Sequence, residues 1–384
     1  MRLPAEEDFT SRLRSPAVAA RIGLWLGVCF TLAFLTGVIS HVAQAHHPWF
    51  PFPTSPAWGY RVTQGVHVIS GTAAIPLLLV KLWTVFPKLL TRPPKQRREL
   101  ALHGLERISI LVLVAAGIFQ LASGLANAAQ WYPWSFHFRD THYAMAWVAI
   151  GALVVHIAVK LPVIRAALTA DVEDGSQDRA TTSHDDGVLS RRGLLRTTWA
   201  ASGVAVLATA GSTVPILRQV SVFGVRSGDG PQDLPVNRSA RAADVKLVAF
   251  SDAYRLTVGY AGSEVELSRA DLEAMVQRTE DLPIACVEGW SANATWTGVR
   301  VRDLLDLVLA PAASDIRVES LQQKGGYSVT ELQGNFADDS RTLLALQLNG
   351  ETLAIDHGFP CRLIAPNRPG VLQTKWVSRL DVIA

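Results

Sequence analysis

The sequence contains few cysteines and few charges for its length. Three cysteines occur among 384 residues, at positions 29, 286 and 361. Because they are scattered and odd in number, they exclude a disulfide framework. Charged residues make up 18% and hydrophobic residues 49% of the chain. The chain is therefore too apolar for a purely soluble enzyme and too charged for a membrane bundle alone. At this length two or three domains are expected.

The charge is distributed unevenly along the chain. Residues 231–384 carry 15 Lys/Arg and 20 Asp/Glu, a net charge of −5, so the remaining residues carry +8 to give the overall +3. The basic part is also the apolar part. The positive excess therefore indicates membrane topology rather than affinity for nucleic acid, and no nucleic-acid partner is expected.

Four continuous apolar runs are long enough to cross a bilayer, which takes about 20 residues. They cover 22–40, 62–86, 108–126 and 143–161, and a weaker run rich in Ala, Gly, Ser and Thr covers 197–216. We expect an all-α transmembrane bundle of four helices plus a fifth anchor helix. The predicted segments are a cytoplasmic lead at 1–20, the bundle at 21–165, a linker at 166–196, the anchor at 197–216 and a second linker at 217–230.

Loop charges predict the orientation of the bundle. The second and fourth connections are rich in Lys and Arg, whereas the first and third carry only Arg61 and Arg139. By the positive-inside rule the N-terminus is cytoplasmic, and five spans leave the C-terminal domain outside the cell. This pattern predicts a multi-pass protein of a bacterial plasma membrane. The outer loops also carry the aromatic residues typical of membrane interfaces: Trp49, Trp58, Tyr60, Trp131, Tyr132 and Trp134.

Histidines inside the predicted spans are functional candidates, because ionisable groups are costly in lipid. His142 and His156 are 14 residues apart on one helix, close to four turns, so both project on one side about 21 Å apart. His67 matches the depth of His142, and His103 that of His156. The two pairs resemble the haem ligands of dihaem cytochrome b bundles, which implies one or two b-type haems. His41 is the chief rival ligand, and interfacial packing is the simpler alternative.

A second candidate site lies at Cys286, in the stretch LPIACVEGWS at 282–291. The cysteine follows an apolar run typical of a buried strand and precedes a turn with Gly289 and Trp290. A helix is predicted at 301–309, a second helix at 268–276 and a strand at 246–250. A thiolate in such a loop can bind a transition metal, although a lone cysteine is more often a small buried hydrophobe.

The stretch CVEGWS…WTGV…DLL, followed by HGFPCRLIAPNRPGVLQTKWVSRLDV, resembles the molybdopterin domain of the sulfite oxidase family over residues 231–384. The resemblance implies an α+β, mostly β, domain in which the Cys286 sulfur binds molybdenum and Trp290 walls the substrate funnel. It implies pterin contacts from Asn237, Arg238, Ser320, His357, Arg362, Gln373, Thr374 and Lys375.

Physical chemistry supports this role for Arg362 and Lys375, because a guanidinium and an ammonium both bind phosphate well. The alternatives are a plain turn at Asn237 and ordinary surface charges at Arg362 and Lys375. Sulfite oxidases proper carry a longer leading segment and a following dimerisation domain that are not found in this sequence, which argues against sulfite itself and leaves the substrate open.

Residues 190–196, SRRGLLR, look like a twin-arginine export motif. The span that follows is only mildly hydrophobic, and a molybdopterin domain receives its cofactor in the cytoplasm and must cross the membrane folded. The twin-arginine export machinery is therefore an expected partner. An Ala-Thr-Ala sequence at 208–210 could serve as a cleavage site, but we expect the anchor to be retained.

These patterns together predict a membrane-bound oxidoreductase that contains molybdopterin and haem b. It exchanges electrons between a small extracytoplasmic substrate, by oxygen-atom transfer at Mo, and the quinone pool. One alternative is a haem b electron-transfer protein whose outer domain is a non-catalytic partner-binding module. Another is a structural bundle without haem.

Overall fold

The computed structural model describes residues 4–45, 50–91, 93–183, 188–224 and 230–383, so the aromatic prediction at Trp49 lies outside the described residues. The chain divides into two compact units. The helical unit comprises Met1–Val38 and Val66–Ala210, and the sheet unit comprises Ile39–Gly65 and Gly211–Ala384. The sheet unit thus includes the first connection between helices as well as the C-terminal domain.

Five helices account for most of the N-terminal half: α1 (Pro16–Ala43), α2 (Gly59–Val85), α3 (Arg97–Ala128), α4 (Phe138–Thr169) and α5 (Arg191–Thr209). Within the described residues, four helical segments are long and apolar enough to cross a membrane, namely α1, α2 extended to Leu90, α3 and α4. Each helix runs several residues beyond its apolar run, because flanking polar residues continue the helix past the hydrocarbon length.

Helix α5 differs from the predicted anchor. It begins at Arg191 and ends at Thr209, with short 3-10 turns at Ala210–Ser212 and Pro215–Leu217, whereas the anchor is predicted at 197–216. It is not one of the four helices of the described chain that are long and apolar enough to cross a membrane. The reason is compositional, since the helix includes the motif arginines 191, 192 and 196.

The described residues of the linker before α5 contact the arginines of the motif. Arg191 is buried, forms an ion pair with Asp178 and donates to the carbonyl oxygen of Asp174 at 2.7 Å. Arg192 pairs with Asp171 at 2.7 Å. The described acidic residues therefore neutralise both arginines of the motif, a long-range pairing that the linear pattern does not reveal.

Two five-stranded sheets form the C-terminal domain. The first has the order β2-β1-β10-β5-β6, and only its β1–β10 pair is parallel. The second has the order β3-β4-β7-β8, with β9 also paired to β7. The strands are β1 (Leu256–Tyr260), β2 (Ser263–Leu267), β3 (Gln277–Ala285), β4 (Ser291–Arg300), β5 (Ile316–Ser320), β6 (Val329–Leu332), β7 (Leu343–Leu348), β8 (Glu351–Thr352), β9 (Arg362–Ile364) and β10 (Val377–Val382).

Short helices fill the edges of these sheets: α6 (Ala240–Ala243), α7 (Arg269–Ala274), α8 (Val301–Asp306) and α9 (Gly334–Ala337). Helix α7 has the predicted capping box of Ser268 and Asp271. Helix α8 ends three residues before the predicted limit of 309. The strand predicted at 246–250 is wrong, because Leu247–Phe250 is a 3-10 turn whose Leu247 side chain is exposed.

Candidate active site

Cys286 lies directly after β3, in a tight loop that leads into β4. Its amide donates to the Trp290 carbonyl oxygen at 2.9 Å, and its own carbonyl accepts from the Gly289 amide at 3.0 Å. Gly289 has φ +90°, a conformation that favours glycine. The Cys286 side chain is only 1% exposed and belongs to the apolar cluster of the second sheet. The loop therefore holds one thiol at a fixed place at a strand end.

A carboxylate and an indole lie beside this thiol. The Cys286 thiol donates to Glu288 Oε2 across 3.8 Å, and the Trp290 indole N–H donates to the same oxygen at 3.0 Å. Trp290 is buried. The single carboxylate thus fixes the orientation of the aromatic ring and places a proton acceptor next to the sulfur.

Three cationic or basic side chains converge near this thiol. Arg362 is in β9, and it forms an isolated antiparallel bridge with Lys375. His357 ends the 3-10 turn Ile355–His357. Gly358 follows with φ +117°, and a Cβ atom there would lie 3.1 Å from the Cβ atoms of Arg362 and Lys375. Only glycine therefore lets this turn bring the two cations together.

The hydrogen bonds of this cluster go to backbone carbonyls. Lys375 Nζ donates to the carbonyl oxygens of Arg238 at 2.8 Å and Asp356 at 2.7 Å. His357 Nε2 lies 2.7 Å from the Pro231 carbonyl oxygen, and Arg362 Nη1 donates to the His357 carbonyl oxygen at 3.3 Å. In the described part of the chain no salt bridge neutralises Arg362 or Lys375.

The buried charges of this cluster lower the stability of the folded protein. Burial lowers the pKa of Arg362 to about 10 and holds the pKa of Lys375 well below its usual range. Burial, with the charges of Arg362 and Lys375, lowers the pKa of His357 to about 4. A buried cation without a counter-ion is destabilising. A bound anion would remove this cost.

Several buried polar atoms in this region have no partner in the structure, which tests whether molybdopterin fits. They are His357 Nδ1, Arg362 Nε, Arg368 Nη1 and Gln373 Oε1. Three are nitrogens of basic side chains, and one is an amide acceptor. A phosphate-bearing, heteroatom-rich ring system supplies the acceptors and donors that these atoms need. The residues present therefore fit the group that the resemblance implies.

The remaining predicted pterin residues surround Lys375 in different ways. Ser320 Oγ donates to the Lys375 carbonyl oxygen at 2.7 Å, and Thr374 Oγ1 lies 2.8 Å from Thr330 Oγ1. These two hydroxyls hold the backbone of the cluster. Asn237 accepts from the Arg238 amide at 2.9 Å. Asn237 and Arg238 thus form a local turn. The backbone carbonyl of Arg238, rather than its guanidinium, contacts Lys375.

Sequence reasoning did not single out Arg368, whose carbonyl oxygen accepts from Gln373 Nε2 at 3.1 Å. Its side chain is buried, and its Nη2 donates to the Glu331 carbonyl oxygen at 2.5 Å. Burial lowers the pKa of Arg368 to about 9. The available signal was an arginine inside the run IAPNRPG of the matched stretch.

In the helical unit, the structure brings His67 and His142 together. Their ring centres are 6.3 Å apart and their planes cross at 70°. His67 Nδ1 lies 2.8 Å from the Ala33 carbonyl oxygen, and His142 Nδ1 lies 3.0 Å from Ser123 Oγ. Metal–imidazole distances of about 2.0–2.1 Å on each side of one ion would put two such ring centres roughly 6 Å apart. The observed separation of the ring centres is therefore of the size that two imidazole ligands of one ion would give.

Glycines leave room beside both rings. A Cβ atom at Gly37 would lie 3.0 Å from His67 Cε1, and one at Gly124 would lie 3.6 Å from His142 Cε1. No comparable ring contact joins His103 to His156 in the described part of the chain. The same residues include no group of three or more His, Cys, Asp or Glu side chains that could hold a metal ion.

Comparison with known proteins adds an independent observation. Residues 242–384 match the family model described as the oxidoreductase molybdopterin binding domain. Sulfite oxidase of Arabidopsis thaliana is 32% identical over 115 residues, which cover 25% of this chain and 29% of that protein. Nitrate reductase [NAD(P)H] of Hordeum vulgare is 36% identical over 103 residues, or 24% of this chain and 12% of that protein.

A third relative is the putative protein-methionine-sulfoxide reductase subunit YedZ1 of Azospira oryzae. It is 30% identical over 131 residues, which cover 34% of this chain and 49% of that protein. The chain thus spans less than half the length of each of these relatives. The family match begins at residue 242, after Asn237 and Arg238. The C-terminal part of this chain is thus similar to molybdopterin-binding oxidoreductase domains, among them that of a sulfite oxidase.

Proposed function

We propose that the protein is a membrane-bound molybdenum oxidoreductase that exchanges electrons between a small extracytoplasmic substrate and the quinone pool through b-type haem. The observation that carries the proposal is the pairing of one buried thiol, Cys286, with two buried cations, Arg362 and Lys375, which no salt bridge neutralises in the described part of the chain. A single sulfur ligand next to an anion site suits a metal that is carried by a phosphate-bearing organic group.

The side chains of this site have separate tasks. When bound, molybdopterin supplies two-electron redox chemistry with transfer of one oxygen atom. Cys286 ligates the metal. Arg362 and Lys375 bind the phosphate and the ring, and His357 donates to or accepts from the same group through its unpartnered Nδ1. Trp290 excludes water from one wall of the site. Glu288 holds that indole and can accept a proton beside the metal.

The electron conduit rests on the His67–His142 pair. Each Nδ1 is occupied by a helix carbonyl or a serine, which leaves each Nε2 for iron. A ring-centre separation of 6.3 Å is compatible with one bis-histidine haem. The sequence prediction of a second haem at His103 and His156 stays a prediction, because these two rings do not make the corresponding contact in the described chain.

The topology is supported by the composition of the sheet unit. The first helix connection packs with the C-terminal domain in one compact unit. Asn367 accepts from the Tyr60 amide at 2.5 Å and donates to the Pro53 carbonyl oxygen at 2.7 Å. Four alternating spans return the chain to its starting side, so α5 must cross once more for these segments to meet. The charged α5 suits a twin-arginine signal better than an ordinary anchor.

Substrate and direction follow from the class of chemistry. Oxygen-atom transfer at the outer domain fits oxidation of a small substrate such as sulfite, with electrons passing to quinone. It fits equally the reduction of a sulfoxide, with electrons taken from quinol. The relatives include a sulfite oxidase and a putative protein-methionine-sulfoxide reductase subunit. A screen with sulfite plus ferricyanide and methionine sulfoxide plus reduced viologen distinguishes the two directions.

The test uses the full chain purified from membranes in detergent. We expect bound molybdenum, a b-type band in the reduced-minus-oxidised spectrum and turnover with one of the two dye systems. Cys286→Ala should abolish turnover and leave the haem band intact. Cys361→Ala is the matched control, because Cys361 is a buried thiol of the same domain that contacts the Tyr254 hydroxyl. It should retain both properties.

Two results would contradict the proposal. Wild-type protein that contains no molybdenum would refute the assignment as a molybdenum enzyme. Full turnover by Cys286→Ala would make the outer domain a non-catalytic module attached to a haem carrier. Absence of a b-type band would leave the molybdenum enzyme standing and remove its conduit.

A further inference from the structure

The first turn of α2 reaches the loop that holds Cys286. Arg61 Nε donates to Ser291 Oγ at 2.9 Å, and Arg61 Nη1 donates to Asn293 Oδ1 at 2.7 Å. Ser291 is the first residue of β4 and follows Trp290 directly. A helix of the N-terminal half therefore hydrogen-bonds to the end of the metal-ligand loop through a two-point guanidinium contact.

Tyr60 makes a second contact on the same turn. Its side chain is buried with Ala43 and Ala285, and Ala285 is the residue before Cys286. The phenol oxygen lies 3.0 Å from Ser40 Oγ, and it accepts from Gln64 at 2.9 Å. The ring is therefore fixed in orientation and lies against the strand end that carries the thiol.

Thr213 holds the same loop from another segment. Its hydroxyl donates to the Gly289 carbonyl oxygen, and its carbonyl oxygen accepts from Ser291 Oγ at 2.8 Å. Ser291 Oγ thus joins Thr213 and Arg61, and the loop from Cys286 to Ser291 has little freedom to move. None of these contacts is visible in the spacing of the sequence, because Arg61 and Ser291 are 230 residues apart.

We propose that the first turn of α2, through Tyr60 and Arg61, is the electron exit of the molybdopterin domain, with the Arg61–Ser291 hydrogen bond as its principal link. The inference rests on the proposed function, because the acceptor is the haem of His67, which the same helix carries six residues after Arg61. Covalent bonds and short hydrogen bonds couple donor and acceptor better than open space does, and this link joins the metal-ligand loop to that helix.

The electron balance is the same for either direction. In oxidation, the substrate gains one oxygen atom from water and releases two electrons and two protons. The electrons cross Arg61 and Tyr60 one at a time and reduce ferric haem to ferrous haem, which quinone then reoxidises. In reduction, quinol supplies the two electrons along the reverse route and releases two protons at its own site, while the substrate takes up two protons from the medium and its oxygen leaves as water. The positive charge of Arg61 favours the passage of an electron.

The experiment uses the full holoprotein in detergent, with decylubiquinol as the electron donor. Stopped-flow absorbance gives the rate of haem reduction, and freeze-quench EPR gives the rate at which Mo(V) appears afterwards. The variants are Arg61→Gln, Ser291→Ala and the double variant. Arg139→Gln is the matched control, because Arg139 lies in the first turn of α4 and pairs with the neighbouring Asp140. Molybdenum content and the haem band verify that each protein is assembled.

We expect Arg61→Gln and Ser291→Ala each to slow the appearance of Mo(V) about 10- to 100-fold relative to haem reduction, the range found for outer-sphere residues of metal sites. Because the two residues form one link, the double variant should be no slower than the slower single variant. Arg139→Gln should match the wild type. Arg61→Lys keeps the charge but not the two-point contact, and should restore part of the rate.

Three outcomes decide the matter. An unchanged Mo(V) rate in assembled Arg61→Gln protein overturns the inference and leaves the proposed function intact. Multiplying effects in the double variant also overturn it, since they would show two independent routes. Failure of the wild type to bind molybdenum or haem removes the proposed function first, and the inference with it.

Discussion

Replacing Arg362 by methionine should leave the cofactor-free protein as stable as the wild type, or more stable, although a large buried side chain is removed. Burial lowers the pKa of Arg362 from its usual value to about 10. The pKa of Arg362 is lower in the folded than in the unfolded protein, and the side chain is charged in both states at pH 7. Its charge therefore destabilises the folded state. At 1.36 kcal/mol per pKa unit the cost is about 3 kcal/mol.

Interactions of the guanidinium offset part of this cost. Its hydrogen bond to the His357 carbonyl oxygen is long, at 3.3 Å, and is worth about 1 kcal/mol. Its contact with the Trp296 ring, at 5.3 Å from the ring centre, adds about 1 kcal/mol. The methionine keeps most of the apolar stem. The net change is therefore a gain of about 1 kcal/mol, which corresponds to roughly 2–4 °C in Tm for a domain of this size.

The assay is thermal unfolding of the full-length apoprotein, produced in cells that do not make molybdopterin and followed by tryptophan fluorescence in detergent. Holoprotein of the same variant should lose molybdenum content about 10- to 100-fold. Arg302→Met is the control, because Arg302 contacts Asp306 at 2.8 Å and Asp338 at 3.2 Å. It should lower stability by about 1–3 kcal/mol. A loss of more than about 2 kcal/mol in apo Arg362→Met would refute the anion-site reasoning.

Three further predictions concern the turn at the cation cluster and the motif at the start of α5. Because the folded pKa of His357, about 4, lies below the ordinary 6.5, the unfolded apoprotein takes up the proton first. Stability should fall by up to about 3 kcal/mol between pH 6.5 and 4, and His357→Gln should flatten that fall in thermal melts. Gly358 has φ +117° and leaves no room for a Cβ atom, so Gly358→Ala should lower the free energy of unfolding by about 1–3 kcal/mol and reduce the molybdenum content. An unchanged Tm would contradict this prediction. Arg191→Lys with Arg192→Lys should leave the sheet unit inaccessible to protease added outside the cell, whereas Arg196→Lys should not; export of the double variant would remove the twin-arginine assignment.

The sequence alone was enough to predict four apolar helices and a molybdopterin-type domain centred on Cys286. Hydrophobic runs long enough for a bilayer and a contiguous motif are local properties, and neither depends on distant contacts. The same reasoning placed His67 and His142 at one depth, because helical rise per residue is nearly constant. The helix α7 with its capping box was likewise readable from Ser268 and Asp271.

Only the tertiary structure shows which distant residues contact the candidate residues. That Arg362 and Lys375 meet follows from the bridge that joins them after the Gly358 turn. That Arg61 contacts Ser291, and that Asp178 neutralises Arg191, depends on how distant segments pack. A charged side chain has no preferred partner along the chain, since its energy is set by the groups that folding places around it. Local patterns therefore singled out the candidate residues, and only packing determined which of them lie together.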